Sequence, residues 1–245
     1  MEVSITGAKI YYVIPGINYP ITQTVVNAWI AMVVIVGLCI WLTRGMQVHA
    51  RTKRQVVAEM IVQMAQKLVR GNMGAKWDSF VPFIAAIFSM SVVSSLMGLT
   101  GAYSPTNDLN TFLAWGILVF VLITYHKIKA NGFGGYLKGF TEPIFVMTPM
   151  NIISEIATPV SMSLRHFANI CSGYVIGLLL YAALGAVSQI IFFWLPGSLG
   201  AIPFLQVGIP AVLNVYFSVF SGCVQPYIFC MLTMQFVAQA AGTEE

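Results

Sequence analysis

The chain reads as a series of apolar runs separated by short polar segments. A run over 21–43 is long enough to cross a bilayer, a second covers 80–99, and a shorter third covers 111–125 with Trp115 and Tyr125 as interface anchors. From 143 to 237 almost every position is apolar, and the chief break is LPGSLGAIP (195–203). That pattern predicts two very long helices. One running over 150–194 would measure about 68 Å at roughly 1.5 Å per residue, more than twice a hydrocarbon core of about 30 Å. Such helices must tilt, bend or break, and Pro159 and Pro226 are available for that. Between the first two runs the period changes. Polar positions 51, 55, 59, 63, 66 and 70 recur at three and four, while Val56, Val57, Met60, Ile61, Met64 and Leu68 fill the opposite side. This predicts an amphipathic helix over 51–70 on the cytoplasmic surface, and membrane anchoring and partner docking both fit it.

The expected fold is an all-α integral membrane protein with about five membrane helices plus the surface helix. A single membrane domain, 1–245, divides into an external N-terminus (1–20), a first span (21–43), the surface helix (51–70), a helical hairpin (80–125) and two long tilted helices (144–240). No repeat of 20 to 50 residues interrupts it.

Composition agrees, since 58% of residues are hydrophobic and 8% charged, too few charges to cover a water-soluble domain of this size. The four Cys (39, 171, 223, 230) sit in apolar runs and read as inert packing residues, with no metal-like pair. A net charge of +4 is no nucleic-acid signal, because the basic residues form short blocks between membrane-length runs. Arg44, Arg51, Lys53, Arg54, Lys67, Arg70 and Lys76 make one block, and Lys127, Lys129 and Lys138 a second. Both should be cytoplasmic, which puts the N-terminus outside, the loop GAYSPTNDLN (101–110) outside and the C-terminus inside. No basic segment precedes the first run, so no cleavable signal is expected.

Three ionisable side chains remain inside the membrane, Glu155, Arg165 and His166. A lone Arg in a span is costly, so it faces a partner or a water-filled cavity unless it snorkels to an interface. Ala157, Ser161, Arg165, Ala168 and Ser172 recur at helical spacing, which places Arg165 on a stripe of small residues that lets another helix approach. Asn169 adds an amide one turn on. Glu155 lies ten residues from Arg165, about 15 Å of helix, so the two cannot pair unless the helix breaks. The partner of Arg165 is therefore expected on another element or another subunit, while Glu155 lines a path or hydrates at the interface. The last helix carries a second polar stripe, Asn214, Ser218, Ser221 and Gln225. It fits interhelical hydrogen bonding and an ion path equally well. No nucleophile with a base, H-E-x-x-H or phosphate-binding Gly loop is present, and no metal or cofactor site is expected.

MNIISEIATPVSMSLRHFANICSG (150–173), with PTNDLNTFLAW (105–115), IKANGFGGYLKGF (128–140) and SGCVQPYIFCMLT (221–233), resembles subunit a of F-type ATP synthases of the bacterial type. The likeness covers nearly the whole chain in order. It implies a non-catalytic stator subunit in a bacterial plasma membrane, partnered by a ring of c subunits, peripheral-stalk b subunits, the rest of the complex and the lipid bilayer. Two offset half-channels would pass protons to and from the c-ring carboxylates. By the resemblance Arg165 is the stator arginine, Asn169 and Gln225 are its polar neighbours, and Glu155 is the acid of the cytoplasmic half-channel.

Two positions depart from the family pattern. Many members have an acid or His nine residues after the arginine, where this chain has Tyr174, and another seven residues before the glutamine, where it has Ser218. Waters held by Tyr174, Ser218, Asn214 and Asp108 would then carry protons on the external side, and Ser221 and His166 are further candidates for half-channel lining. Sodium coupling is the alternative, and a stand-alone ion channel or secondary transporter is the rival of a different class. The rival predicts internal symmetry and mirrored broken helices, and the sequence has neither.

Overall fold

The computed structural model describes residues 9–16, 19–47, 52–100, 102–141, 145–192 and 204–242. Both chain ends and the expected external turn at 195–203 lie outside these residues.

Helices dominate. Helix α1 spans Gln23–Thr43, α2 Lys53–Met73, α3 Val81–Met97, α4 Leu109–Thr141, α5 Thr148–Phe192 and α6 Phe204–Ala240. Among the described residues, five helical segments are long and apolar enough to cross a membrane. The all-α expectation needs one addition. Strands β1 (Ile10–Ile14) and β2 (Tyr19–Thr22) pair antiparallel, with Ile14 opposite Tyr19 and Ile10 opposite Thr22. Five β-branched or aromatic residues in succession, followed by Pro15 and Gly16, carry the strand and turn chemistry for this hairpin. Ile21, assigned to the first span by hydropathy, thus belongs to β2, and α1 begins two residues later.

Helix α2 starts at Thr52, whose hydroxyl accepts from Gln55 N at 3.4 Å, and stops at Gly74, where a φ of 87° excludes further helix. Its end is pinned to the next segment by Arg70, which donates to both Asp78 oxygens at 2.6 and 2.7 Å. Gln55, Ala58, Val69 and Met73 face inward, whereas Val56, Val57, Met60, Ile61, Val62 and Met64 face away from the bundle. An amphipathic helix with its apolar side turned outward needs lipid or a partner over that side.

Helix α4 is longer than its apolar run because Gly132, at φ 71°, kinks it instead of ending it. The positive φ costs glycine little, so the chain turns there and carries the Lys- and Gly-rich stretch on to Thr141. Helix α5 runs 45 residues and passes Pro159 without interruption.

Helix α6 is the hub, packed on α2, α3, α4 and α5, and α1 touches the other helices through α2, α3 and the loop between α3 and α4. The core lies where these helices meet: Val69, Val81, Ile84, Val119, Ile123, Met162, Phe229, Met234 and Val237 are all buried. Glycine sets two of the close approaches. A Cβ on Gly116 would collide with Ser163 Oγ of α5 and lie 3.1 Å from the Pro159 carbonyl; one on Gly222 would lie 2.7 Å from Ser95 Cβ of α3. Of the four cysteines only Cys230 is a packing residue; Cys39, Cys171 and Cys223 face outward, because their apolar surroundings are the outer faces of helices.

Candidate functional site

Arg165 lies on the outward face of α5, and so do Ala157, Ser161, Ala168 and Ser172. The small-residue stripe is therefore an open strip flanked by Val160 and Leu164, both also turned outward. Among the described residues Arg165 makes no hydrogen bond or ion pair, and no carboxylate of the bundle reaches it. One turn on, Asn169 Nδ2 donates to Gln225 Oε1 at 3.3 Å, which ties α5 to α6 beside the guanidinium. Gln225 is 6% exposed whereas Asn169 is exposed, so this amide pair runs from the outer face of α5 into the α5–α6 contact, one turn from Arg165.

His166 follows Arg165 directly, and the 100° step of a helix turns it off that outward face. Its side chain is fully buried, with its ring centroid 4.2 Å from Phe112, 6.3 Å from Trp115 and 5.9 Å from Phe229. Nε2 lies 3.4 Å from Ser91 Oγ of α3, and Nδ1 has no partner. His166 thus belongs to the junction of α3, α4, α5 and α6 and does not share the face of Arg165.

Glu155 lies two to three turns nearer the start of α5. The helix does not break between the two residues, so they stay about 15 Å apart. Its carboxylate is instead held from α4: Lys127 Nζ lies 3.0 Å from Oε2, and Tyr136 donates to Oε1 at 3.3 Å. Lys127 and Tyr136 sit on either side of the Gly132 kink, which is how one helix supplies both. The group opens into a cavity of about 450 Å³ lined also by Asn131, Asn151 and Gln239. Neither Lys127 nor Tyr136 is singled out by sequence pattern. The glycines of GFGGY beside a lysine block are the available signal, since a glycine-permitted turn is what folds such a segment back on itself.

The remaining candidates separate. Asp108 is half-buried and its Oδ1 accepts from Asn110 N at 3.0 Å, so the carboxylate caps the start of α4. Ser221 is half-buried on α6, one turn before Gln225. Tyr174 lies on α5 and Asn214 and Ser218 on α6, with their side chains outside the described set. Among the described residues no three His, Cys, Asp or Glu side chains come together as metal ligands would.

Residues 25–238 match the family model described as ATP synthase A chain. ATP synthase subunit a of Desulforamulus reducens is 32% identical over 236 residues, covering 96% of this chain and 84% of that one. ATP synthase subunit a 1 of Prosthecochloris aestuarii is 32% identical, covering 92% of each. A third relative, from Propionigenium modestum, is named ATP synthase subunit a, sodium ion specific; it is 28% identical over 93% of this chain and 77% of its own length.

Proposed function

The chain belongs to the ATP synthase A chain family and is a multi-pass membrane protein, and from that premise we propose that it is the stator across which the c-ring turns. The observation that carries this reading is Arg165: a permanent cation on an outward, small-residue strip, with no counter-charge among the described residues. A guanidinium does not deprotonate in a protein, so it can hold a passing c-ring carboxylate ionised and block direct leakage along the strip. The Asn169–Gln225 pair keeps the strip polar beside it.

The cytoplasmic half-channel is the cavity around Glu155, whose carboxylate and amide lining suit hydration. Tyr174, Asn214 and Ser218, further toward the other ends of α5 and α6, belong to the external side. The N-terminus is outside and the C-terminus cytoplasmic, in a bacterial plasma membrane, with b subunits holding the stator. A field worth about 2.3 kcal/mol per charge per 100 mV then biases rotation. No active site for ATP is assigned to this chain.

Protons are the coupling ion in this reading, since among the described residues no three His, Cys, Asp or Glu side chains gather as they would around a metal ion. Sodium is the second reading, and the relative named as sodium ion specific favours it. Purification decides between stator and stand-alone transporter: a stator comes out with a c-ring and a peripheral stalk, a transporter alone. In the purified complex, ATP hydrolysis stimulated by sodium would reverse the choice of ion.

A further inference from the structure

Buried polar atoms without partners mark places where a membrane protein holds water, because each left dry costs free energy. Four of those among the described residues fall along one line: Thr24 Oγ1, Ser94 Oγ, Ser95 Oγ and His166 Nδ1. The line begins at the loop between α3 and α4. There Ser104 Oγ donates to the Ser94 carbonyl at 2.6 Å and lies 2.5 Å from Thr106 Oγ1, and Asn27 Nδ2 donates to the Tyr103 carbonyl at 2.6 Å. All of these side chains but those of Ser95 and Tyr103, which are half-buried, are less than a tenth exposed. One turn deeper on α3 stands Ser91, fully buried, and beyond it His166.

The depth of this seam can be read from α6. It runs antiparallel to α3, touching it at Gly222 beside Ser95 and again where Cys230 Sγ lies 4.0 Å from the Ile84 carbonyl. Gln225 is three residues past Gly222, about 4.5 Å along the axis, and Ser91 is four residues before Ser95, about 6 Å. Ser91 and the Asn169–Gln225 pair therefore stand at nearly one level. The seam runs from the α3–α4 loop to the depth of Arg165 and ends on an imidazole one residue away from it.

We propose that this seam is the external half-channel, with water held among Ser104, Ser94, Ser95 and Ser91 and with His166 as the titratable relay at its inner end. The proposal rests on the proton-stator reading and supplies the group that Tyr174 and Ser218 do not. In each passage Nε2 takes a proton from the Ser91 side, and that hydroxyl is refilled by the water behind it. The imidazole then swings about its Cβ–Cγ bond and Nε2 hands that proton to water at the Asn169–Gln225 level and from there to the c-ring carboxylate, Nδ1 keeping its own hydrogen throughout. The Nε2–H bond that forms is the one that breaks, so the imidazolium is transient and the swing back restores the neutral starting state. The groups facing the imidazole are Ser91 from α3, Phe112 and Trp115 from α4 and Phe229 from α6, none of them a carboxylate or an ammonium.

The test uses the assembled complex in vesicles, with c-ring co-purification recorded for every variant. His166→Phe suits the aromatic cage but cannot relay; it should lower both ATP synthesis and ATP-driven pumping by about tenfold or more in assembled complex. Ser91→Thr and Ser91→Val add nearly the same volume and differ in the hydroxyl. Thr should keep most of the rate and Val should lose it, which a merely structural role would not produce. An assembled His166→Phe complex with wild-type rates overturns the proposal, as do equal losses in the two Ser91 variants. If His166→Phe does not assemble, the Ser91 pair decides. Failure of the stator reading itself would appear differently, as wild-type synthesis in Arg165→Ala.

Discussion

Removing Lys127 alone from the Lys127–Glu155 pair should be worse than removing both partners. At 3.0 Å and an effective dielectric of about 20, the gross attraction is about 5 kcal/mol. The Lys127 side chain is 35% exposed and that of Glu155 10%, so solvent and desolvation reduce the net coupling to about 1–2 kcal/mol. The two ends are not equivalent. A lysine released by Glu155→Gln can swing its ammonium to water on a flexible stem, whereas a carboxylate released by Lys127→Met stays in a largely enclosed site. Lys127→Met should therefore slow ATP-driven acidification of inverted vesicles more than Glu155→Gln does. The double variant should return to the level of Glu155→Gln, and a coupling of 1–2 kcal/mol corresponds to about 5- to 30-fold in rate if it acts fully on passage. Equal c-ring content in all four preparations makes the comparison valid. Additive losses, or a Glu155→Gln defect larger than that of Lys127→Met, would refute the idea that Lys127 compensates the carboxylate.

Gly116→Val should push α4 from α5 against the Pro159 carbonyl and Ser163, costing about 1–3 kcal/mol and lowering the thermal stability of the assembled complex. The same change at Gly139, where a Cβ meets open space, should leave that melting temperature nearly unaltered. Ser218→Ala should be tolerated and Ser218→Leu should slow proton entry, because water-lined passages fail by lost volume; equal pumping in both would remove Ser218 from the path.

The spans and the outward arginine were legible because charge is so scarce that position and helical spacing decide them. The placement of Arg165, Ser161 and Ala168 on one outward face follows from their spacing alone. The N-terminal hairpin was written in Ile10–Ile14 and Pro15–Gly16, but a hydropathy reading merges Ile21 with the helix that follows. What lines the site from other helices was not legible. Lys127 reaches Glu155 across 28 positions and Ser91 meets His166 across 75, and such pairings depend on crossing points set by Gly132, Gly116 and Gly222. His166 shows the same limit: its neighbours on α3, α4 and α6 could not be read from its place beside Arg165.

The most direct test of the account is coupled ATP synthesis by membranes carrying Arg165→Ala or Arg165→Lys. The side chain touches no packed partner among the described residues, so both variants should assemble with the c-ring in normal amount. Both should lose coupled synthesis and ATP-driven pumping: alanine has no charge, and lysine can shed its proton and lacks the planar fork. Near-normal synthesis in either assembled variant would contradict the assignment of Arg165 as the stator charge.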